Sequence, residues 1–147
     1  MDLRLYHNSH EFYYRSSFGA VPSGSRLILR LRAGGSDARN CRARIRPWQS
    51  NVGDSFVPTT YQDGIFTGCV TMPPKGCLVW YYFIVDDGHE TVYYGNNYDR
   101  LGGEGAKYPE VPPAYQVTVY DKDAHTPDWF KHAIVYQIFP DRFCEGK

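Results

Sequence analysis

Polar and apolar side chains alternate strictly in several short segments of this chain. The clearest case, residues 26–32, places three leucines on one face and mainly arginines on the other. Residues 41–46 repeat the pattern, with three arginines on the polar face. A period of two is typical of a β-strand that buries one face. Since a Gly-Gly-Ser-Asp turn at 34–37 separates the two segments, they are expected to form a hairpin.

The rest of the chain continues in short strands. Turn residues separate about seven or eight strands at intervals of roughly 8–12 residues, and no segment shows a convincing helical period. Residues 77–85 are apolar or aromatic on both faces and are expected to form a central strand. The pattern predicts an all-β, immunoglobulin-like β-sandwich over residues 1–120, followed by a linker at 121–128.

Residues 129–147 differ from the sandwich pattern. An apolar run at 133–139, interrupted only by Gln137, ends at Pro140. Such a run is typical of a strand buried on both faces, as in a parallel sheet or barrel. A (β/α)8 barrel needs about 250 residues, so only its first strand is expected here. We therefore expect the chain to be truncated just after the start of a second domain.

Several motifs carry a family resemblance. The segment WFKHAIVYQIFPDRF at 129–143 resembles the opening barrel strand of the α-amylase superfamily of glycoside hydrolases. It is most similar to the neopullulanase, cyclomaltodextrinase and maltogenic amylase branch. RSSFGAVP at 15–22 and the YYGN and LGG segments between 93 and 103 resemble further elements of the same branch. The resemblance implies an N-terminal domain similar to a starch-binding module, a linker and then a catalytic barrel.

The implied chemistry is retaining hydrolysis of α-glucans such as starch, maltodextrin, pullulan or cyclodextrin. In this family the catalytic carboxylates lie on later barrel strands, and Asp141 matches none of them. The sequence therefore predicts no catalytic residue and no hydrolytic activity in this chain by itself.

Glucan binding requires exposed aromatic rings beside hydrogen-bonding groups. Trp48 begins a polar loop, and sugar stacking and structural packing are both open for it. Trp80 is expected in the core, and Trp129 is expected to pack the linker onto the barrel. The candidate carbohydrate-binding residues are Trp48, Tyr61, Tyr93, Tyr94, Asn96, Asn97 and Tyr98.

Two main functions are open. The first is an accessory glucan-binding domain that also positions the barrel of its own chain. The second, implied by the resemblance, is a structural domain that forms a homodimer and covers a neighbouring active site. An adhesion-type sandwich is a third reading, disfavoured by the cysteines and the final strand. With 16 basic and 16 acidic residues, the net charge of zero favours neither nucleic acid nor membrane as a partner.

Neither the arginine cluster nor the candidate metal ligands point to a further binding site. Seven of the 11 arginines lie between residues 26 and 46, where they are expected to form the solvent face of the hairpin. His7, His10 and Glu11 are expected in a solvated loop and not in a metal site. The resemblance places Glu145 and Lys147 at family calcium positions, but lysine cannot ligate calcium. No cofactor or metal is therefore expected in this chain. The calcium site is also doubtful in the longer enzyme, the parent, of which this chain is expected to be the first part.

The four cysteines, Cys41, Cys69, Cys77 and Cys144, do not have zinc-motif spacing. If residues 73–76 close a hairpin, its register keeps Cys69 and Cys77 apart. All four are interpreted as free thiols of a reducing compartment. The first residues contain no signal-peptide-like apolar segment, which favours a cytoplasmic location and leaves secretion open.

Overall fold

The computed structural model describes residues 2–16, 19–49 and 55–123. Their strands form two sheets that pack face to face as a β-sandwich, which confirms the predicted fold class. The four-stranded sheet has the order β1-β3-β7-β6, with β1 (Arg4–Tyr6), β3 (Arg26–Gly34), β6 (Thr60–Gln62) and β7 (Ile65–Thr71).

The seven-stranded sheet has the order β10-β9-β8-β11-β2, and β4 pairs with both β8 and β5. Its strands are β2 (Val21–Pro22), β4 (Arg42–Trp48), β5 (Val57–Pro58), β8 (Cys77–Asp86), β9 (Thr91–Gly95), β10 (Ala106–Tyr108) and β11 (Tyr115–Tyr120). Eleven strands are thus described where seven or eight were expected, because several of them are only two or three residues long.

The core lies between the two sheets and follows the predicted alternation. The three leucines of β3 are at most 1% exposed, and the facing side chains of β8 are buried as fully: Tyr81, Phe83 and Val85. Burying a large apolar side chain completely contributes about 1.5–3 kcal/mol. As predicted, β8 is central, since it pairs with β4, β9 and β11.

The predicted hairpin of residues 26–32 and 41–46 is wrong. Instead, β3 pairs with β1 and β7, while β4 joins the other sheet beside β8. A single 3-10 turn, Ala38–Asn40, follows the glycine turn and carries the chain across the core. The arginines of the two strands therefore lie on opposite outer faces of the sandwich. The hairpin expected around residues 73–76 is wrong for the same reason, because β7 and β8 also belong to different sheets.

The chain also changes sheets between β5 and β6. Val57 and Pro58 pair with β4 in the seven-stranded sheet, whereas residues 60–62 pair with β7 in the four-stranded sheet. Between them, the Thr59 hydroxyl donates a hydrogen bond of 2.7 Å to the carbonyl oxygen of Ala43. This corner lies at one edge of the sandwich, where the two sheets come together.

His7 lies in the core and not in a solvated loop. It is 0% exposed, its Nδ1 donates to the carbonyl oxygen of Arg30 at 2.7 Å, and its Nε2 accepts from the Tyr81 hydroxyl at 2.9 Å. The backbone carbonyl of His7 accepts a hydrogen bond from the Tyr94 hydroxyl. The Tyr115 hydroxyl also donates to this carbonyl, at 3.3 Å. The sequence prediction for His7 was wrong, because Tyr81, Tyr94 and Tyr115 from distant strands supply hydrogen bonds inside the core.

Several predicted features lie outside the described residues. These are most of the linker at 121–128, the barrel-type strand at 129–147, Trp129 and Cys144. In the described part of the chain, Cys41, Cys69 and Cys77 form no disulfide, and no helix is long and apolar enough to cross a membrane.

Candidate ligand-binding surface

Four aromatic side chains form a stripe across the outer face of the seven-stranded sheet. We call this set, Trp48, Trp80, Tyr82 and Tyr93, the aromatic stripe. Trp48 ends β4 directly opposite Trp80 in β8, and their rings stack with centroids 4.8 Å apart and an interplanar angle of 21°. Both rings are partly exposed. Cross-strand pairing thus stacks two indoles on the outer face, where each ring covers one face of the other and leaves its opposite face to a ligand.

The stripe continues along β8 into β9. Tyr82 follows Trp80 by two residues and so shares its outer face. The Tyr82 ring lies 6.1 Å from that of Tyr93, which is also partly exposed. Because strands hold these rings, the rings keep fixed relative positions without a ligand. The surface is therefore preorganised.

Aromatic side chains extend beyond the stripe toward β10. Tyr108 is opposite Tyr93 in the register, and the Tyr98 ring packs on Tyr108 with centroids 5.4 Å apart. Tyr108 is only 7% exposed, whereas Tyr98 is 81% exposed. The Tyr98 ring therefore adds an open aromatic surface at this end.

Polar groups flank the stripe. Gln116 of β11 is exposed and lies opposite Trp80 in the register, and Arg46 of β4 lies opposite Tyr82. The Arg46 guanidinium donates to the carbonyl oxygen of Pro47 at 3.0 Å, which fixes its position. An amide and a guanidinium thus stand beside the rings. Flat rings with adjacent hydrogen-bonding groups suit a ligand that has apolar faces and a polar edge.

Two of the sequence-predicted residues have structural roles instead. Tyr94 is 1% exposed and faces the core, so its ring is not available as a surface platform. Asn96 is 4% exposed, its amide donates to the carbonyl oxygen of Ala114, and its side-chain oxygen accepts from the backbone N–H groups of Asn97 and Gly102. The prediction missed this because residues 93 and 94 alternate between the faces of β9.

The other predicted residues do not all come together. Asn97 organises its own loop, since its amide nitrogen donates to the Gly102 carbonyl at 2.7 Å. Tyr61 lies in β6 of the four-stranded sheet, apart from the stripe. Trp48, Tyr93 and Tyr98 are the predicted residues that the structure places at the stripe or its extension.

Sequence reasoning misplaced Trp80 and missed Tyr82. Trp80 was expected in the core because β8 is apolar on both faces, but its inner face consists of residues 79, 81, 83 and 85. The alternation of β8 does indicate the outward position of Trp80. Trp80 and Tyr82 lie on the same face of the strand as Asp86, which is charged. A charged residue at the end of one face marks that face as the outer one.

No group of three histidine, cysteine, aspartate or glutamate side chains is placed to hold a metal ion within residues 2–16, 19–49 and 55–123. The two residues at the family calcium positions, Glu145 and Lys147, lie outside this part of the chain.

Comparison with known proteins identifies relatives. No family model matches the chain. It is 38% identical over 156 residues to an amylopullulanase of Thermoanaerobacterium thermosulfurigenes and 36% identical over 159 residues to one of Thermoanaerobacter thermohydrosulfuricus. These matches cover 97% and 99% of this chain but only 8% and 10% of the relatives.

A shorter match connects the chain to a second kind of enzyme. It is 31% identical over 72 residues, or 46% of its length, to an intracellular maltogenic amylase of Bacillus subtilis. Over nearly its whole length, the chain is thus homologous to a short segment of amylopullulanases, and it fits an N-terminal domain of an α-amylase family enzyme.

Proposed function

We propose that this chain is an accessory α-glucan-binding domain and that the aromatic stripe is its glucan-binding surface. The observation that carries the proposal is the stacked Trp48–Trp80 pair, continued by Tyr82 and Tyr93 on one exposed sheet face. The relatives named amylopullulanases support an α-glucan as the ligand. In a parent enzyme the domain would hold substrate near the catalytic domain.

The chemistry of glucose supports this assignment. A glucose ring has faces made of C–H bonds, which stack on flat aromatic surfaces, and hydroxyl groups at its edge. The Gln116 amide can both donate to and accept from such hydroxyls beside Trp80. The stripe extends across β4, β8 and β9, so successive glucose units of one chain could lie along it.

Titration with maltohexaose and β-cyclodextrin, followed by tryptophan fluorescence and calorimetry, tests this proposal. We expect saturable binding that Trp80→Ala weakens about five-fold or more, since a base stacked on an aromatic side chain contributes about 1–3 kcal/mol and a sugar face makes a similar contact. Tyr13→Ala is the matched control, because Tyr13 is 52% exposed and does not belong to the stripe. The absence of binding at millimolar sugar, in a folded protein, would refute the proposal.

A second candidate function is protein association, as a dimer or with the catalytic domain. Phe12 and Leu101 are 71% and 76% exposed on two loops that hydrogen bonds hold together, including one from the backbone N–H of Gly103 to the Ser9 hydroxyl at 2.8 Å. Exposed apolar side chains on adjoining loops favour an interface. Sedimentation of the wild type and of a Phe12→Ser/Leu101→Ser variant tests this function, which predicts a concentration-dependent dimer in the wild type alone.

A further inference from the structure

We propose that the domain has a second α-glucan subsite, centred on Tyr61 in a groove where the two sheets meet. The inference rests on the proposed function and deepens it. We call this feature the seam groove, and its lining includes Arg42, Arg44, Thr59, Tyr61, Phe66 and Asp86. The groove has a volume of about 520 Å³. It shares no lining residue with the aromatic stripe and is built from both sheets.

The aromatic part of the groove is held rigidly. The Tyr61 ring is 37% exposed and packs on Phe66 with centroids 4.7 Å apart. Phe66 is 2% exposed and belongs to the core. One side of the Tyr61 ring is therefore supported by the core while part of the ring remains open to a ligand. This is the arrangement that a sugar ring requires of a stacking platform.

Hydrogen-bonding groups stand at the rim of the groove. Asp86 lies 3.8 Å from the Arg44 guanidinium and opposite Arg42 in the register of β4 and β8. The Asp86 carboxylate accepts hydrogen bonds and the two guanidinium groups donate them. Sugar hydroxyls do both, so each of these groups can hydrogen-bond to a sugar that stacks on Tyr61. The corner at Thr59, tied to Ala43 by its hydroxyl, fixes the opposite wall.

One strand connects the two surfaces. β4 runs from Arg42 at the seam groove to Trp48 at the aromatic stripe. Arg44 in the groove lies two residues from Arg46, which is opposite Tyr82, so the two surfaces adjoin at that point. From Arg42 to the paired indoles, however, six residues of extended strand span roughly 20 Å, at about 3.3 Å per residue. A trisaccharide is shorter than this separation, whereas a polysaccharide can reach both surfaces. Two linked contacts raise the overall affinity through effective concentration, so long glucans should bind much more tightly than short ones.

Two measurements on the chain of 147 residues test this inference. In an NMR titration with maltotriose, amides near Trp80 and amides near Tyr61 should shift as two independent groups. Tyr61→Ala should abolish the second group only, and Trp80→Ala the first only. In affinity electrophoresis through soluble starch, each substitution should weaken retardation at least about ten-fold, because bivalent binding is lost. Asp86→Asn keeps the shape of the side chain. It should weaken maltotriose binding as measured by the amides near Tyr61, while the protein remains folded.

The outcomes separate this inference from the proposed function. Shifts confined to the Trp80 group, with starch retardation unchanged by Tyr61→Ala, would overturn the second subsite and leave the stripe as the glucan surface. Shifts confined to the Tyr61 group would overturn the stripe and support the groove as the only subsite. No shift in either group would overturn both. Tyr13→Ala serves again as the control and should behave as the wild type.

Discussion

The Tyr81 hydroxyl donates a hydrogen bond of 2.9 Å to Nε2 of His7 in the centre of the sandwich. The other ring nitrogen, Nδ1, donates to the Arg30 carbonyl oxygen, so this pair of contacts fixes a single neutral tautomer. Burial is the main cause that lowers the pKa of His7 from 6.5 to about 4, and the positive charge of Arg15 acts in the same direction. The hydrogen bond to the Arg30 carbonyl opposes this shift.

The first prediction is that acid destabilises the fold through His7. Above pH 6.5 His7 is neutral in both states, and its contribution to stability is fully present. Between pH 6.5 and 4 the unfolded chain binds a proton that the folded chain does not, so the free energy of unfolding falls by about 3 kcal/mol. Urea unfolding at pH 7.5 and 4.5 measures this. The His7→Gln variant should be less stable than the wild type at neutral pH, but its free energy of unfolding should change less with pH. If the two proteins lost the same stability between pH 7.5 and 4.5, His7 would not be the group responsible.

The second prediction concerns the partner of that hydrogen bond. Tyr81→Phe keeps the ring, which stacks on Tyr115 with centroids 5.2 Å apart, but leaves Nε2 of His7 without its Tyr81 donor. An unsatisfied buried acceptor costs about 1–3 kcal/mol, and we expect that loss in the free energy of unfolding. Chemical denaturation measures it, with Tyr13→Phe as the control at an exposed tyrosine. A loss no larger than in the control would argue against the bond.

The third prediction concerns close backbone packing at Gly105. A methyl group there would overlap the carbonyl oxygen of Gly95 and the hydroxyl of Tyr115. Gly105→Ala should therefore lower the free energy of unfolding by about 3 kcal/mol or more, as expected for overpacking of a core.

Gly88 provides the matched control for Gly105. It has a φ of +92° but no atom within 4 Å of an added methyl group. Gly88→Ala should then cost only the backbone strain of about 1–2 kcal/mol. Thermal melting compares the two variants, and equal losses would show that space at Gly105 is not limiting.

The fourth prediction is energetic coupling between the paired indoles. If Trp48 and Trp80 stack as described, the double-mutant cycle of Trp48→Ala and Trp80→Ala should give a coupling of about 0.5–1.5 kcal/mol in stability. Trp80→Ala combined with Tyr13→Ala should be additive, because Tyr13 packs beneath Arg30 on the other sheet. Additivity in the tryptophan cycle would mean that the two rings do not interact in solution.

The fifth prediction concerns thiol reactivity. Cys69 is exposed on β7, whereas Cys41 is 8% exposed and burial raises the pKa of its thiol. Because the thiolate is the nucleophile, iodoacetamide at pH 7.5 should modify Cys69 at least about ten times faster than Cys41. Peptide mapping by mass spectrometry follows each site. The difference should vanish in urea, and its absence in the native protein would contradict the burial of Cys41.

The inner and outer faces of single strands could be predicted from the sequence, but strand partners could not. The leucines of β3 and the apolar residues Ala43 and Ile45 of β4 are buried as their alternation predicts. Alternation does not indicate which strand pairs with which, and the described strands change sheets five times along the chain, including at residues 35–41 and 72–76. A short turn predicts a hairpin only when both strands stay in one sheet, which depends on contacts far along the chain.

The candidate surface was predictable only in part for a related reason. Trp48 and Tyr93 were identified as aromatic residues near polar loops, and the structure places both on the stripe. Trp80 was misplaced because both faces of β8 are mostly apolar, and the charge of Asp86 at the end of the strand is the one signal that marks its outer face. Tyr94 was misassigned because its neighbour Tyr93 has the same side chain on the opposite face. Local composition predicts the type of surface, whereas strand pairing decides its members.

The position of β11 affects how this domain is synthesised. It is the last described strand along the chain, yet it lies between β8 and β2, and it supplies the buried side chains Tyr115, Val117 and Val119. A ribosome adds about 5–20 residues per second, so the earlier strands exist for some seconds before β11 can pair with β8 and β2. The sandwich can close only after residue 120 has emerged. Folding of the earlier strands therefore depends on the last strand that the structure describes.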